Sequence, residues 1–232
     1  MMLRGLLAQD PGLNDVRVGL GLNEQKLGDH ADAVESFREV LKREPTNALA
    51  HFDLAVSYFA LRRSDDALKE LQVTLAISPS YTRAEELLGT IWIGRKAYDQ
   101  ARAQFNHLLA VDPGNYTAHY NLGVLAALEG HWDEGAKQLQ AALKADPSSA
   151  EAHNALGSLY LRKGDLERAR DEFTEAVRLA PQFASAHYNL GLVFRGQGRS
   201  NEAAHEFRLA LISDPQLRAA REALESLKEN RQ

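Results

Sequence analysis

Cysteine is absent from the chain, which excludes disulfides and thiol chemistry and leaves both a cytoplasmic and a periplasmic location open. Long apolar runs are missing too. No stretch approaches the length of a membrane span, and the opening MMLRGLLAQD has too short an apolar segment for a signal peptide. A basic balance is also lacking: the formal net charge of −5 argues against a nucleic-acid partner, which would bring a basic patch. No phosphate-binding glycine loop, zinc-finger spacing or nucleophile elbow occurs. The many carboxylates fall on helix faces and in turns, where solvated charge is the default. These absences point away from an enzyme, a metal site and a cofactor. What is present, 44% hydrophobic and 25% charged residues in 232, is enough for a chain that folds and stays soluble.

The prolines set the organisation. Pro11, Pro45, Pro79, Pro113, Pro147, Pro181 and Pro215 are each 34 residues from the next, the mark of a stacked repeat. Counting from the third residue after a proline gives six repeats: 14–47, 48–81, 82–115, 116–149, 150–183 and 184–217. The seventh position is always leucine (Leu20, Leu54, Leu88, Leu122, Leu156, Leu190). The eighth is tiny (Gly21, Ala55, Gly89, Gly123, Gly157, Gly191), as is the twentieth (Ala33, Ala67, Ala101, Gly135, Ala169, Ala203). The twenty-fourth is large and apolar (Phe37, Leu71, Phe105, Leu139, Phe173, Phe207).

Apolar residues three and four apart mark one face of a helix, and tiny residues let two helices approach closely. A mid-repeat turn is marked by Gly28, Gly130, Gly164 and Gly198. Arg62 and Lys96 replace glycine in the second and third repeats, so those turns are expected to be tighter or strained. Asp29, Ser64, Asp165 and Ser200 are positioned to cap the second helix, and proline ends it. Each repeat is therefore a helical hairpin that cannot bury its apolar faces alone, and stacked neighbours do so. Turns are expected near 28–30, 62–64, 96–98, 130–132, 164–166 and 198–200, with no strand.

This pattern resembles the tetratricopeptide repeat family, most closely at Leu156, Gly157, Tyr160, Ala169, Phe173, Ala176 and Pro181. The resemblance covers essentially the whole chain. It implies an all-α, right-handed superhelical solenoid of stacked antiparallel hairpins, a concave groove lined by the first helix of each repeat, and protein binding.

The ends are read separately. Residues 1–13 align with the tail of an earlier repeat, with Leu3, Leu6, Leu7 and Pro11 in register. Either the chain continues upstream, so that these leucines leave an apolar patch, or the stub is itself a cap. Residues 218–232 read as a capping helix and tail, with Leu224 and Leu227 docking on the last repeat.

Four histidines share the fourth position: His51, His119, His153 and His187. Successive first helices stand about a helix diameter apart, and zinc needs nitrogen ligands at about 2.0–2.1 Å from one ion. A running ladder of four cannot meet that, so these residues are read as packing between helices.

The family resemblance places the second, fifth, sixth, ninth, twelfth and thirteenth residues of each first helix in the groove. The peptide-binding candidates that follow are Phe52, Asp53, Val56, Phe59, Glu86, Thr90, Ile93, Tyr120, Asn121, Val124, Asn154, Ser158, Leu161, Tyr188, Asn189, Leu192 and Arg195. This surface is apolar and aromatic with few charges. Tyr120 and Tyr188 are expected to anchor a ligand without belonging to the repeat core. Asn121 and Asn189 are expected to meet the main chain of an extended peptide. The two-carboxylate clamp by which some family members grip chaperone tails is not supplied by any three successive repeats. The chain is thus expected to be a scaffold that binds a peptide or helical segment of a partner protein, without metal, cofactor, nucleic acid or membrane insertion. The alternatives are a regulatory or substrate-recruiting arm of an enzyme encoded upstream, and self-association through the N-terminal half-repeat.

Overall fold

The structure, a computed structural model, describes residues 2–10 and 12–229; Pro11, first of the seven prolines, lies outside the described residues. These form fourteen α-helices and no strand. The chain divides into two compact units, Met1–Leu108 and Leu109–Gln232. The first holds α1 (Met2–Gln9), the hairpins α2 (Asn14–Leu27) with α3 (His30–Arg43) and α4 (Ala48–Ala60) with α5 (Ser64–Ile77), then α6 (Thr82–Gly94) and α7, which runs Tyr98–Val111. The second holds the hairpins α8 (Tyr116–Leu128) with α9 (Trp132–Ala145), α10 (Ala150–Arg162) with α11 (Leu166–Leu179), and α12 (Ala184–Gly196) with α13 (Ser200–Ser213), followed by α14 (Arg218–Glu229).

The hairpin turns fall where the sequence places them. At Gly28 the backbone is left-handed, with φ of 85°. The next amide, that of Asp29, bonds back to the Glu24 carbonyl at 2.8 Å, closing the helix end. Arg62 and Lys96 make the same turn at φ of 58°, a conformation that costs an L-residue roughly 1–2 kcal/mol, so the expected strain is present. The capping expectation needs correction. Asp165 does cap α11, accepting from the Arg168 amide at 3.2 Å. Asp29 makes no side-chain cap bond, and Ser64 and Ser200 are already the first residues of their helices, one position past the N-cap. The first helices have better caps, which the sequence reading passed over: Asn47, Asn115 and Ser149 each accept from the amide three residues on.

Within each hairpin the tiny eighth residue receives the large twenty-fourth. A Cβ on Gly157 would stand 2.9 Å from the Phe173 ring, so the two backbones approach only because it is missing. The rings of Phe37, Phe105, Phe173 and Phe207 are fully buried, as are the alanines at 33, 67, 101, 169 and 203. On α14, Leu227 is buried and Leu224 packs beside it against a core that includes Phe207. In α1, Leu7 is buried and Leu6 is 39% exposed.

The histidine ladder is a joint. In His51, His153 and His187 the Nδ1 atom lies 2.6–2.7 Å from Glu70, Glu172 and Glu206, and in His119 it lies 2.7 Å from Gln138. The Nε2 atoms lie 3.0–3.2 Å from the carbonyls of Pro45, Pro113, Pro147 and Pro181. Each ring ties its own two helices to the proline loop before them, with both nitrogens engaged. A second set of ties links consecutive hairpins through residues 30 apart: Asp65 to Arg95 at 2.5 Å, Asp133 to Lys163, and Glu167 to Gln197 at 2.9 Å. These are exposed, so each contributes little.

Candidate functional site

In the first unit the candidates divide into floor and surface. Phe52 is only 3% exposed; its ring lies 5.1 Å from Tyr81, with the Arg83 guanidinium 4.7 Å over its face. It belongs to the core, where Val56 also packs. Asp53 is 5% exposed, and its Oδ2 has no hydrogen-bond partner. Burial pushes its carboxyl up to about 6, against the opposing pull of Arg83. Gln25, one hairpin earlier, donates to the Asp53 carbonyl at 2.7 Å and to Ser57 Oγ at 2.8 Å. Glu86, Thr90 and Ile93 on α6 are half-buried, with the Thr90 hydroxyl donating to the Glu86 carbonyl, and Phe59 is exposed.

In the second unit, α8, α10 and α12 stand side by side. Tyr120, Asn121, Val124, Asn154, Ser158, Leu161, Tyr188, Asn189 and Leu192 are all half-buried, and Arg195 is exposed. The Asn189 amide donates to Asn154 Oδ1 at 2.9 Å across the gap between α12 and α10. Asn121 instead donates to the Thr117 carbonyl in its own helix at 2.8 Å, which occupies one of its two N–H groups. The two tyrosines are not clear of the core. Tyr120 packs against the cluster around Phe173 and stacks on Tyr116 at 5.8 Å, while Tyr188 lies 5.8 Å from the Phe207 ring. Burial, then Tyr116 and Glu151, raise the Tyr120 hydroxyl above its ordinary value. The reason is geometric: the fifth residue of a first helix is wide enough to reach back onto the hairpin beside it, so one ring serves both core and surface.

A hollow of about 280 Å³ opens among α8, α9 and α10, lined by Val124, Ala127, Leu128, Trp132, Leu139, Ala155, Ser158, Leu159 and Arg162. Two of these, Val124 and Ser158, were groove candidates; the other seven, Trp132, Leu139 and Arg162 among them, were missed. Among the described residues, no group of three or more histidine, aspartate or glutamate side chains is placed to hold a metal ion, and no helix is long and apolar enough to cross a membrane.

Residues 18–82, 94–130, 129–182 and 157–218 match the sequence pattern of the tetratricopeptide repeat. No curated protein sequence matches the chain. Among solved structures, the APC/C hetero-tetramer Cut9–Hcn1 aligns at TM-score 0.82 and 17% identity, over 97% of this chain and 45% of that one. This chain therefore spans under half the length of that relative. PilW, a widely conserved type IV pilus biogenesis factor, aligns at 0.78 and 22% identity, over 93% of this chain and 98% of that one. YrrB, a tetratricopeptide repeat protein with an unusual peptide-binding site, aligns at 0.63 and 20% identity, over 83% of this chain and 99% of that one. At these identities the likeness concerns the fold.

Proposed function

Since this chain belongs to the tetratricopeptide repeat family, we propose that it is a non-catalytic scaffold that holds a peptide or helical segment of a partner protein along the first helices of its repeats. The observation that carries this reading is the strip on α8, α10 and α12, where nine candidate side chains are half-buried. Such side chains have apolar area still to lose to a partner, and they already lie on rigid helices, which lowers the ordering cost of binding. Tyrosine and leucine supply contact area, and the Asn154–Asn189 pair retains donor and acceptor capacity for a main chain. YrrB, with the same fold, has a peptide-binding site, and proteins of this family are generally scaffolds.

The test is a binding titration against a partner recovered with the intact chain. Asn154→Ala with Asn189→Ala removes both members of a hydrogen bond, so folding should change little. Binding should weaken roughly tenfold, the loss expected for two peptide hydrogen bonds. Lys137→Ala, exposed on α9, should bind as the parent does. Unchanged binding by the double variant, with loss in Lys137→Ala, would move the working surface to the second helices. Tyr120→Ala with Tyr188→Ala should weaken binding further, but melting must be followed in parallel because both rings also pack.

A further inference from the structure

The hollow beside α8, α9 and α10 has a cause in the repeat pattern. Four repeats pair a glycine at the eighth position with phenylalanine at the twenty-fourth, and one pairs Ala55 with Leu71. Repeat 116–149 alone combines Gly123 with Leu139, and it also has Gly135 where the others have alanine. Elsewhere the ring lies over the glycine; here the Leu139 Cγ covers it, 2.7 Å from where a Cβ would stand. The side chain ends there, and the volume that a ring would occupy is left over. Leu139 and Leu159, 1% and 2% exposed, form the floor. Val124 and Ala155 wall it, Trp132 stands at the rim, and Leu128 beside it is 62% exposed.

We propose that this hollow is a socket for one aromatic side chain of the bound partner, flanked in the partner sequence by a carboxylate. The inference rests on the reading of the first helices as the binding face and names what that face selects. Size favours it: an apolar cavity of roughly 150 Å³ takes up benzene, and this one, about 280 Å³, lies below the range of roughly 300–1,000 Å³ of small-molecule sites. The lining is mainly apolar, and the Ser158 hydroxyl donates to the Asn154 carbonyl at 2.8 Å, so away from Arg162 water finds few of the two to four polar partners it needs. The charge is complementary to an acid. The Arg162 guanidinium lies 5.6 Å over the Trp132 ring, and among the described residues no carboxylate pairs with it, whereas its neighbour Lys163 is held by Asp133. A ring entering the hollow meets Trp132, and a carboxylate next to it meets Arg162.

The test uses the full chain and three ten-residue serine–alanine peptides carrying Phe-Glu, Phe-Lys or Ala-Glu at the centre. Binding is followed by the indole NMR resonance of Trp132, with Trp92, which does not line the hollow, as the internal control. The Phe-Glu peptide should shift Trp132 and bind at least about tenfold more tightly than Ala-Glu, as one buried anchor would. It should exceed Phe-Lys by a few-fold, a preference that Arg162→Ala removes. Leu139→Phe restores the glycine–phenylalanine pair of four other repeats; it should melt no lower than the parent and lose the peptide about tenfold or more. Equal binding of the Phe-Glu and Ala-Glu peptides overturns the proposal, as does a folded Leu139→Phe that binds like the parent. If Leu139→Phe fails to fold, Ala155→Leu fills the opposite wall, and retained binding there overturns it equally. Against the recovered partner, loss in the Asn154→Ala/Asn189→Ala variant with no loss in Leu139→Phe refutes the socket and leaves the binding face standing. The reverse pattern supports the socket and removes the asparagines from the contact.

Discussion

At the residue scale, two titratable groups sit in positions where neighbouring repeats explain them. Asp53 occupies the place that Asn121 and Asn189 hold in later repeats. Its neighbours are Tyr81 and Arg83, and one carboxyl oxygen has no partner. With its folded value raised to about 6 from an ordinary 3.8, the stability it contributes is full below pH 4 and is lost as pH rises through 6. Asp53→Asn should therefore raise stability at pH 7.5 by on the order of 1–2 kcal/mol, and the melting temperature with it, and do little at pH 4. Equal melting of the two proteins at pH 7.5 would mean the carboxyl is solvated. His187 has a second pH window. Glu206 raises it most, against its burial, and the Pro181 carbonyl adds to the rise. A raised histidine stabilises fully below its ordinary value of 6.5 and loses that contribution as pH climbs past the folded value. The parent should melt lower at pH 8.5 than at pH 6 by an increment that Glu206→Gln removes. If melting curves of the two proteins follow the same pH profile, the pair carries no proton linkage. The sequence showed that the histidines recur at one position of the repeat. It did not show the partners, because Glu206 and Pro181 are 19 residues after and six before, distances that only a folded hairpin closes.

At the element scale, the hairpin depends on a missing Cβ more than on any single contact. Gly157 lies against Phe173, which is fully buried. Gly157→Leu would need the ring to leave or the helices to part, and such overpacking costs about 1–3 kcal/mol or more. Denaturant melts should show a clear loss of midpoint, and an unchanged midpoint would mean that α10 and α11 meet elsewhere. Turn glycines and close-approach glycines were legible because each recurs with period 34 and has a local cause. Caps were read less well. Ser64 and Ser200 look like caps in sequence, but the left-handed turn residue comes two positions earlier, so the N-cap falls on Arg63 and Arg199. The role of the groove aromatics was the least legible. Whether Phe52 faces outward depends on Tyr81, 29 residues later, lying over it, and no local pattern encodes that.

At the scale of the whole molecule, the period of 34 revealed the all-helical repeat, yet it is too uniform to show a boundary. The division after Leu108 falls inside α7, not at a proline. In stacked repeats each hairpin contacts only its neighbours, so stability is a sum of local terms, and elements with fewer buried contacts open first. Among the described side chains of α1, Leu7 alone is buried. Helix α14 places Ala220, Ala223 and Leu227 against its neighbour. By contrast, α10 to α13 carry two buried phenylalanines, two histidine joints and the Glu167–Gln197 tie, and α4 with α5 carry Leu54, Tyr58, Leu71 and the His51 joint. Amide hydrogen exchange followed by mass spectrometry should thus proceed in an order set by this burial. Peptides from α1 should exchange first and those from α14 next, while α4–α5 and α10–α13 should exchange last, through their largest opening. The same order should hold as denaturant is added below the midpoint, because each opening removes a local interface without unfolding the rest. If all helices exchanged at one common rate set by global unfolding, the nearest-neighbour account of this chain would be wrong.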